Sequence, residues 1–289
     1  MLLTLASYNI QYGIGRDGAY DLARIAQAVR QADIVCFQEV SRHAARHGFA
    51  DQAAELAEML GLHYVHGCPF SVDAGAPGGD ARSRNRRQEF GNMVASRWPI
   101  AAARTLPLPR PPLAAVFDLL RCAVESVLAT PAGALRVYSL HLSHISTGQR
   151  RPQVEWLLRT VERAPGEGLA WEHCADFLLG EGRPAPALPA EAILAGDFNF
   201  EPHHPEYPLL VGEWHPRRGR LTPRQGFVDS WVAAGHRESE GVTFAEPGRP
   251  QRIDYVFAAP GLAARVTRAW IDDQALGSDH QPIFVQFEL

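Results

Sequence analysis

The amino-acid sequence predicts an α/β fold in a single domain spanning residues 1–289. Three observations predict it. Short, wholly apolar runs at residues 34–37 and 193–195 have the length of strands buried on both faces. Stretches with apolar residues at helical spacing separate these runs. The alternation persists to both ends of the chain, with no internal repeat and no heptad pattern.

Residues 2–8 alternate into a first strand, and Asp21 then opens a helix with Leu22, Ile25, Ala26 and Val29 on its apolar face. After the run at 34–37, a second helix is expected at about residues 52–60. Residues 71–90 are rich in glycine and arginine and are expected to form a mobile loop insertion. Strands are expected near 92–96, 119–128 and 135–142, with the prolines from 107 to 112 marking a surface connection. Residues 149–161 read as a helix. A proline-rich insertion near 164–190 includes a short helix around 171–179 and an extended connector. The strand at 193–195, a helix or turn from Val228, and strands at 253–258, 264–271 and 283–287 complete the chain.

Composition narrows the chemistry. All 28 basic residues are arginine, so lysine-based Schiff-base chemistry and lysine-dependent phosphate loops are excluded. Anions must be held by guanidinium groups, backbone amides or metal ions. The net charge of -4 provides no global basic field for nucleic acid. Cys36, Cys68, Cys122 and Cys174 lie far apart without a CxxC pair, which predicts reduced, packed thiols rather than a zinc site. The N-terminus enters a strand directly, and no apolar run approaches the ~18 residues of a membrane span. A cytoplasmic protein without stable membrane association is therefore expected.

Several strands end in acid or amide residues: Asn9, Glu39, Asp197 with Asn199, Asp254, and Asp279 with His280 before the last strand. Carboxylates beside apolar runs are costly to bury unless paired or metal-bound. Converging hard oxygen ligands favour Mg²⁺ or Mn²⁺ over zinc. Extended backbone would place Asp197 and Asn199 on one face, and Arg252 and Asp254 likewise. Asp279 and His280 are adjacent and need the Gly277–Ser278 bend to serve one site. Taken singly, each motif has a plain explanation as a turn, a solvated strand end, a surface ion pair or a cap.

Taken in order, the stretches ASYNIQYG, CFQEV, FGNMVASRWPI, VYSLHLS, LAGDFNFEP, FVDSW, QRIDYVF and ALGSDHQPI resemble the endonuclease/exonuclease/phosphatase superfamily. The resemblance covers essentially the whole chain. It implies the DNase I-like fold, a four-layer α/β/β/α sandwich of two packed mixed β-sheets with the active site at one end. It also implies Glu39 as the main metal ligand, completed by Asn9 and Asp279. His280 would act as general base or orient the attacking water, with Asp254 holding its imidazole. Asp197 and Asn199 would bind the water, the phosphate or a second metal, and His141 would donate to a phosphate oxygen or help the leaving group. A histidine at position 141 points to the DNase I, sphingomyelinase and inositol-phosphatase side of the superfamily. Asn92, Asp229 and Arg252 would bind substrate or support the site.

The resemblance thus implies a Mg²⁺- or Mn²⁺-dependent phosphoester hydrolase, foremost a phosphodiesterase, with nucleic acid among the candidate substrates. The rivals are a phosphomonoesterase or lipid-headgroup hydrolase on the same site, and a non-catalytic scaffold. Two arginine groups, Arg82, Arg84, Arg86 and Arg87 and then Arg217, Arg218, Arg220 and Arg224, are candidates for holding substrate phosphates or are solvated loops. His144 could approach the cleft or serve a loop. His203 and His204 read as solvated turn residues.

Overall fold

The computed structural model describes residues 1–114, 116–168, 188–246 and 248–289. Its strands are β1 (Leu2–Asn9), β2 (Ile34–Arg42), β3 (His63–Gly67), β4 (Ser71–Asp73), β5 (Arg87–Ser96), β6 (Ile100–Pro107), β7 (Cys122–Thr130), β8 (Gly133–His141) and β9 (Ala192–Asp197). They continue with β10 (Glu213–His215), β11 (Gly219–Leu221), β12 (Val228–Asp229), β13 (Phe244–Glu246), β14 (Arg249–Gln251), β15 (Asp254–Ala258), β16 (Val266–Ile271) and β17 (Ile283–Glu288). One mixed sheet has the order β16-β17-β1-β2-β5-β3, with β4 also on β5. The second has the order β12-β15-β9-β8-β7-β6, while β10–β11 and β13–β14 are separate ribbons.

The wholly apolar strands are explained by what each face meets. Leu3, Leu5, Ile34, Cys36 and Val94 of the first sheet pack with Val124, Val137, Ile193, Ala195 and Val256 of the second. The alternate residues point away from that central layer. On the first sheet, Ala6, Tyr8, Val35 and Phe37 pack under α1 (Leu22–Val29) and α2 (Gln52–Leu60). On the second, Tyr138, Leu140, Leu194, Tyr255 and Phe257 pack under α4 (Thr147–Glu167), through Val154, Leu157 and Val161. Three apolar layers separate four layers of secondary structure, so the chain forms the expected four-layer sandwich. At about 25 cal/mol per Å² of apolar surface, this double-sided burial is the main stabilising term.

Local signals agree where they are strong. The Asp21 carboxylate accepts from the Ala23 and Arg24 amides and starts α1, a cap worth about 1 kcal/mol. Asp51 caps α2, which ends at Gly61 in the left-handed region at φ 65°.

The expected loop at 71–90 is corrected. β4 pairs with the first residues of β5, and a short helix α3 (Ala81–Arg84) lies between them. A long-range ladder, which glycine-and-arginine composition does not reveal, orders this segment. The strands β3 and β6 were also hidden, because both run along sheet edges and carry little apolar periodicity. The helix expected around 171–179 lies outside the described residues. Among the described residues, Cys36, Cys68 and Cys122 are free, and no helix is long and apolar enough to cross a membrane.

Candidate active site

Strand register brings the polar strand ends together. In the second sheet, parallel pairing sets His141 beside Asp197, and antiparallel pairing sets Asp254 on the other side of Asp197. Three adjacent strands therefore offer an imidazole and two carboxylates side by side. Gly196 is required here, because any Cβ at this position would run into the Leu140 carbonyl of the neighbouring strand. From the first sheet, Asn9 donates through Nδ2 to Asp197 Oδ2 at 3.0 Å and to Glu39 Oε1 at 3.4 Å. That amide joins the two sheets at this end, alongside Gln38 Nε2 donating to Ser139 Oγ and Asn92 Nδ2 donating to the Cys122 carbonyl.

Glu39 reaches the site by an irregularity. Strand alternation would turn Gln38 inward and Glu39 outward. The β2–β5 register shifts between Phe37 and Val40, and Glu39 takes a φ of 59°. A bulge of this kind re-aims a side chain. It leaves Gln38 donating to Ser139 Oγ at 3.1 Å while Glu39 Oε1 comes within 3.9 Å of His141 Nδ1. Asn199 also departs from the expectation of an extended pair with Asp197. At φ 54° it turns back, donates its amide N–H to Asp197 Oδ1 at 2.9 Å, and places Nδ2 3.0 Å from His141 Nε2.

His280 Nδ1 lies 2.8 Å from Asp254 Oδ2, and its Nε2 lies 3.8 Å from Asp197 Oδ2. The bend through Gly277 and Ser278 turns the chain so that Ser278 Oγ accepts from the His280 amide and donates to Asp279. Thr243 Oγ1 accepts from the amides of Ile253 and Asp254, each at 3.1 Å, and Phe244 packs on the His280 ring. Thr243 thereby holds Asp254 in place.

Burial alone would deprotonate His280, but Asp254, then Asp197 and Asp279, outweigh it and push its pKa up to about 10. Burial raises Asp197 above the usual carboxylate range and Asp254 adds to this, against the opposing effects of His280 and Asn9. Burial likewise raises Glu39, with Asp279 adding to it and Arg121 and His280 opposing. His141 goes the other way. Burial, then the Arg121 guanidinium, hold it well below its ordinary value.

Arg121 was not legible as a site residue. It is buried, donates to His141 Nδ1 at 2.9 Å and to His144 Nδ1 at 3.1 Å, and stands close enough to Glu39 and Asp197 for each to favour its charge. The available signal was a cation inside the apolar stretch at 119–128, which also holds Glu125. His144 is thus tied to the cleft through Arg121.

The site fits a divalent cation on its own chemistry. Glu39 and Asp197 are desolvated carboxylates held above their usual pKa, and Asp254 Oδ1 is buried without a hydrogen-bond partner. Ligand atoms of Asp197, Asp254 and His280 lie within 4.8 Å of one another. That trio differs from the expected ligands Asn9, Glu39 and Asp279, and its His280–Asp254 contact is already satisfied by a shared proton.

Of the expected support residues, Asn92 lines the narrow cleft with Arg121 and His141, and donates to the Cys122 carbonyl at 2.8 Å. Asp229 and Arg252 bind each other instead of the cluster. Arg252 Nη1 donates to Asp229 Oδ2 at 2.9 Å, so the expected common face of Arg252 and Asp254 is not realised. The reason is that Arg252 precedes β15 and turns toward the Asp229 cap. In the second arginine group, Arg220 is committed to Glu238 through two hydrogen bonds of 2.8 and 2.7 Å. Of the first group, Arg82, Arg86 and Arg87 line a cavity of about 510 Å³ with Arg42 and Phe49, while Arg84 donates to the Gly79 carbonyl at 2.8 Å. A groove of about 940 Å³ between α1 and residues 272–276 holds none of the site residues.

No curated protein matches the sequence significantly. Solved structures resemble the fold over its length. An endonuclease/exonuclease/phosphatase from Beutenbergia cavernae shares 22% identity with a TM-score of 0.67, covering 100% of this chain and 72% of that one. A family protein from Bacteroides thetaiotaomicron shares 21% identity at a TM-score of 0.63, covering 100% and 99%. A mannosyl-6-phosphatase of the same organism shares 20% identity at a TM-score of 0.63, covering 99% and 100%. The model of the Endonuclease/Exonuclease/phosphatase family matches residues 6–280, and the chain belongs to that family of phosphoester hydrolases.

Proposed function

We propose that this chain hydrolyses phosphodiesters with the aid of Mg²⁺ or Mn²⁺. The observation that carries the reading is the buried His280–Asp254 pair at 2.8 Å, whose Nε2 lies 3.8 Å from the Asp197 Oδ2 that His141 Nε2 approaches to 3.2 Å. Glu39, with Asn9 and Asp279, would hold the cation. A cation held there would supply Lewis-acid polarisation of a phosphoryl oxygen and would offset the carboxylate charge that favours the His280 imidazolium.

The chain's own groups supply the rest. Asp254 fixes His280 Nδ1–H, so Nε2 is the atom presented to water or phosphate. In the neutral ring Nε2 accepts the proton of the attacking water, and Asp254 stabilises the imidazolium that results. Asp197, whose carboxylate lies between the two imidazoles, orients that water. His141 is kept neutral by burial and by Arg121, and its Nε2–H serves a non-bridging oxygen. Arg121 provides a buried guanidinium for the phosphate, in a chain where no lysine could do so.

Hydrolysis of bis(4-nitrophenyl) phosphate with Mg²⁺ or Mn²⁺ tests the reading. Glu39→Gln and His280→Ala should each lower turnover by about 10²–10⁴-fold. Unchanged turnover in the folded variants would sink it. A monoester cleaved faster than any diester, across 4-nitrophenyl phosphate, plasmid, oligonucleotide and phospholipid, would replace the diesterase by a monoesterase.

A further inference from the structure

Beside the phosphate site lies a cavity of about 540 Å³ whose aromatic walls come from four separate parts of the chain: Tyr12, Phe70, Phe90 and Phe117. Their dispersal concealed the cavity in the sequence. Phe90 lines both this cavity and the narrow crevice of Asn92, Arg121 and His141, so the cavity abuts the candidate site at that ring.

The cavity wall is built at a cost in backbone conformation. Gln11 and Tyr12 both sit in the left-handed region, at φ 43° and 46°. For residues other than glycine such geometry persists only where surrounding contacts hold it. Here the buried Gln52 donates to the Tyr12 carbonyl at 2.6 Å, and the Arg46 guanidinium covers the Tyr12 ring at 4.1 Å. Tyr12 is therefore fixed before any ligand arrives. The remaining lining is apolar apart from the Ser41 hydroxyl, the Gln88 amide and Arg46.

We infer that this cavity holds a nucleobase, so that the substrate is a nucleotide ester whose phosphate reaches, past Phe90, the cluster of His141, Asp197 and His280. The inference rests on the phosphoester reading above. A base is planar, and its faces stack on phenyl and phenol rings. Its edge carries donors and acceptors that a side-chain amide such as Gln88 matches in both senses. An alkyl chain would desolvate Gln88, Ser41 and Arg46 without a partner. A sugar presents a hydroxyl on nearly every carbon and needs more polar partners than these.

Calorimetric titration of the full chain with thymidine 5′-monophosphate and with ribose 5-phosphate, both with Mn²⁺ present, tests this. The nucleotide should bind about tenfold or more tightly than the sugar phosphate. The gap should close in Phe70→Ala/Phe117→Ala, a pair chosen because Phe117 is 76% exposed and Phe70 is only half-buried. Circular dichroism verifies that this variant folds, and Phe117→Ala alone, which should narrow the gap, serves if the pair does not. Equal wild-type affinities, or a gap untouched by the substitutions, overturn the inference. So does tighter binding of mannose 6-phosphate or decyl phosphate than of the nucleotide. Because the readout is binding, base selection without bis(4-nitrophenyl) phosphate cleavage would remove the hydrolase reading and leave the base pocket standing. Cleavage without base selection would do the reverse.

Discussion

Arg121 Nη1 donates to His141 Nδ1 at 2.9 Å, and this contact decides which nitrogen of the imidazole carries its proton. A guanidinium only donates, so Nδ1 accepts, and the Nε2 proton goes to Asp197 Oδ2 at 3.2 Å, while the nearby Asn199 Nδ2, itself a donor, is spent on the Leu142 carbonyl at 3.1 Å. Arg121→Ala should release both the tautomer and the charge that helps hold the His141 pKa down. Nitrogen NMR of His141 should show a protonated Nε2 in the wild type and a higher pKa in the variant. Turnover should fall about 10²-fold or more, as for the loss of a positioned electrostatic donor. An unchanged His141 spectrum would show that burial alone sets its state.

Stability of the metal-free protein should depend on pH through His280. Its pKa is about 10 when folded, against 6.5 for the free side chain. A raised folded pKa contributes stability that is fully present below 6.5 and is lost as pH rises through about 10. Unfolding free energies from urea titrations should therefore fall across that window, by an amount on the order of a few kcal/mol. Asp254→Asn should flatten the dependence, because it removes the main partner that favours the imidazolium. Equal slopes for the two proteins would refute the assignment.

Metal binding can be separated from turnover. Glu39 is a desolvated carboxylate whose charge the site opposes, so Glu39→Gln should leave the metal-free protein as stable as the wild type or about 1 kcal/mol more stable. Mn²⁺ should raise the wild-type Tm, by about 2.7 kcal/mol of added stability at a hundred times its Kd. The variant should gain much less at the same concentration. Matching gains would move the cation away from Glu39.

Asp229 is expected to act on stability and not on chemistry. It accepts from Arg252 at 2.9 Å, from Tyr207 Oη at 3.0 Å and from the Trp231 amide at 3.0 Å. Asp229→Ala would leave the buried Arg252 charge unpaired, at a cost of about 3–5 kcal/mol. Its urea midpoint should drop sharply, while kcat per folded molecule at low temperature stays within a few-fold of the wild type. A large loss of kcat in the folded variant would return Asp229 to the site.

Sequence alone determined the layered α/β architecture, the capped helices and most of the polar cluster, because these follow from short-range causes. Burial on both faces makes the strands at 34–37 and 193–195 wholly apolar, and an acid or amide ending such a strand is conspicuous wherever it falls. Asn9, Asp197 and Asp254 were legible for that reason, His280 by its place beside Asp279, and His141 only through the resemblance to the family. Tertiary structure decided which of them meet and how they are oriented. Strand register set Asp197 between His141 and Asp254, and a bulge with a left-handed Glu39 reversed the face that simple alternation assigns it. Arg121, the Asp229–Arg252 pair and the aromatic cavity stayed hidden because each depends on residues far apart in the chain, whose proximity only the packing of the two sheets and their loops creates.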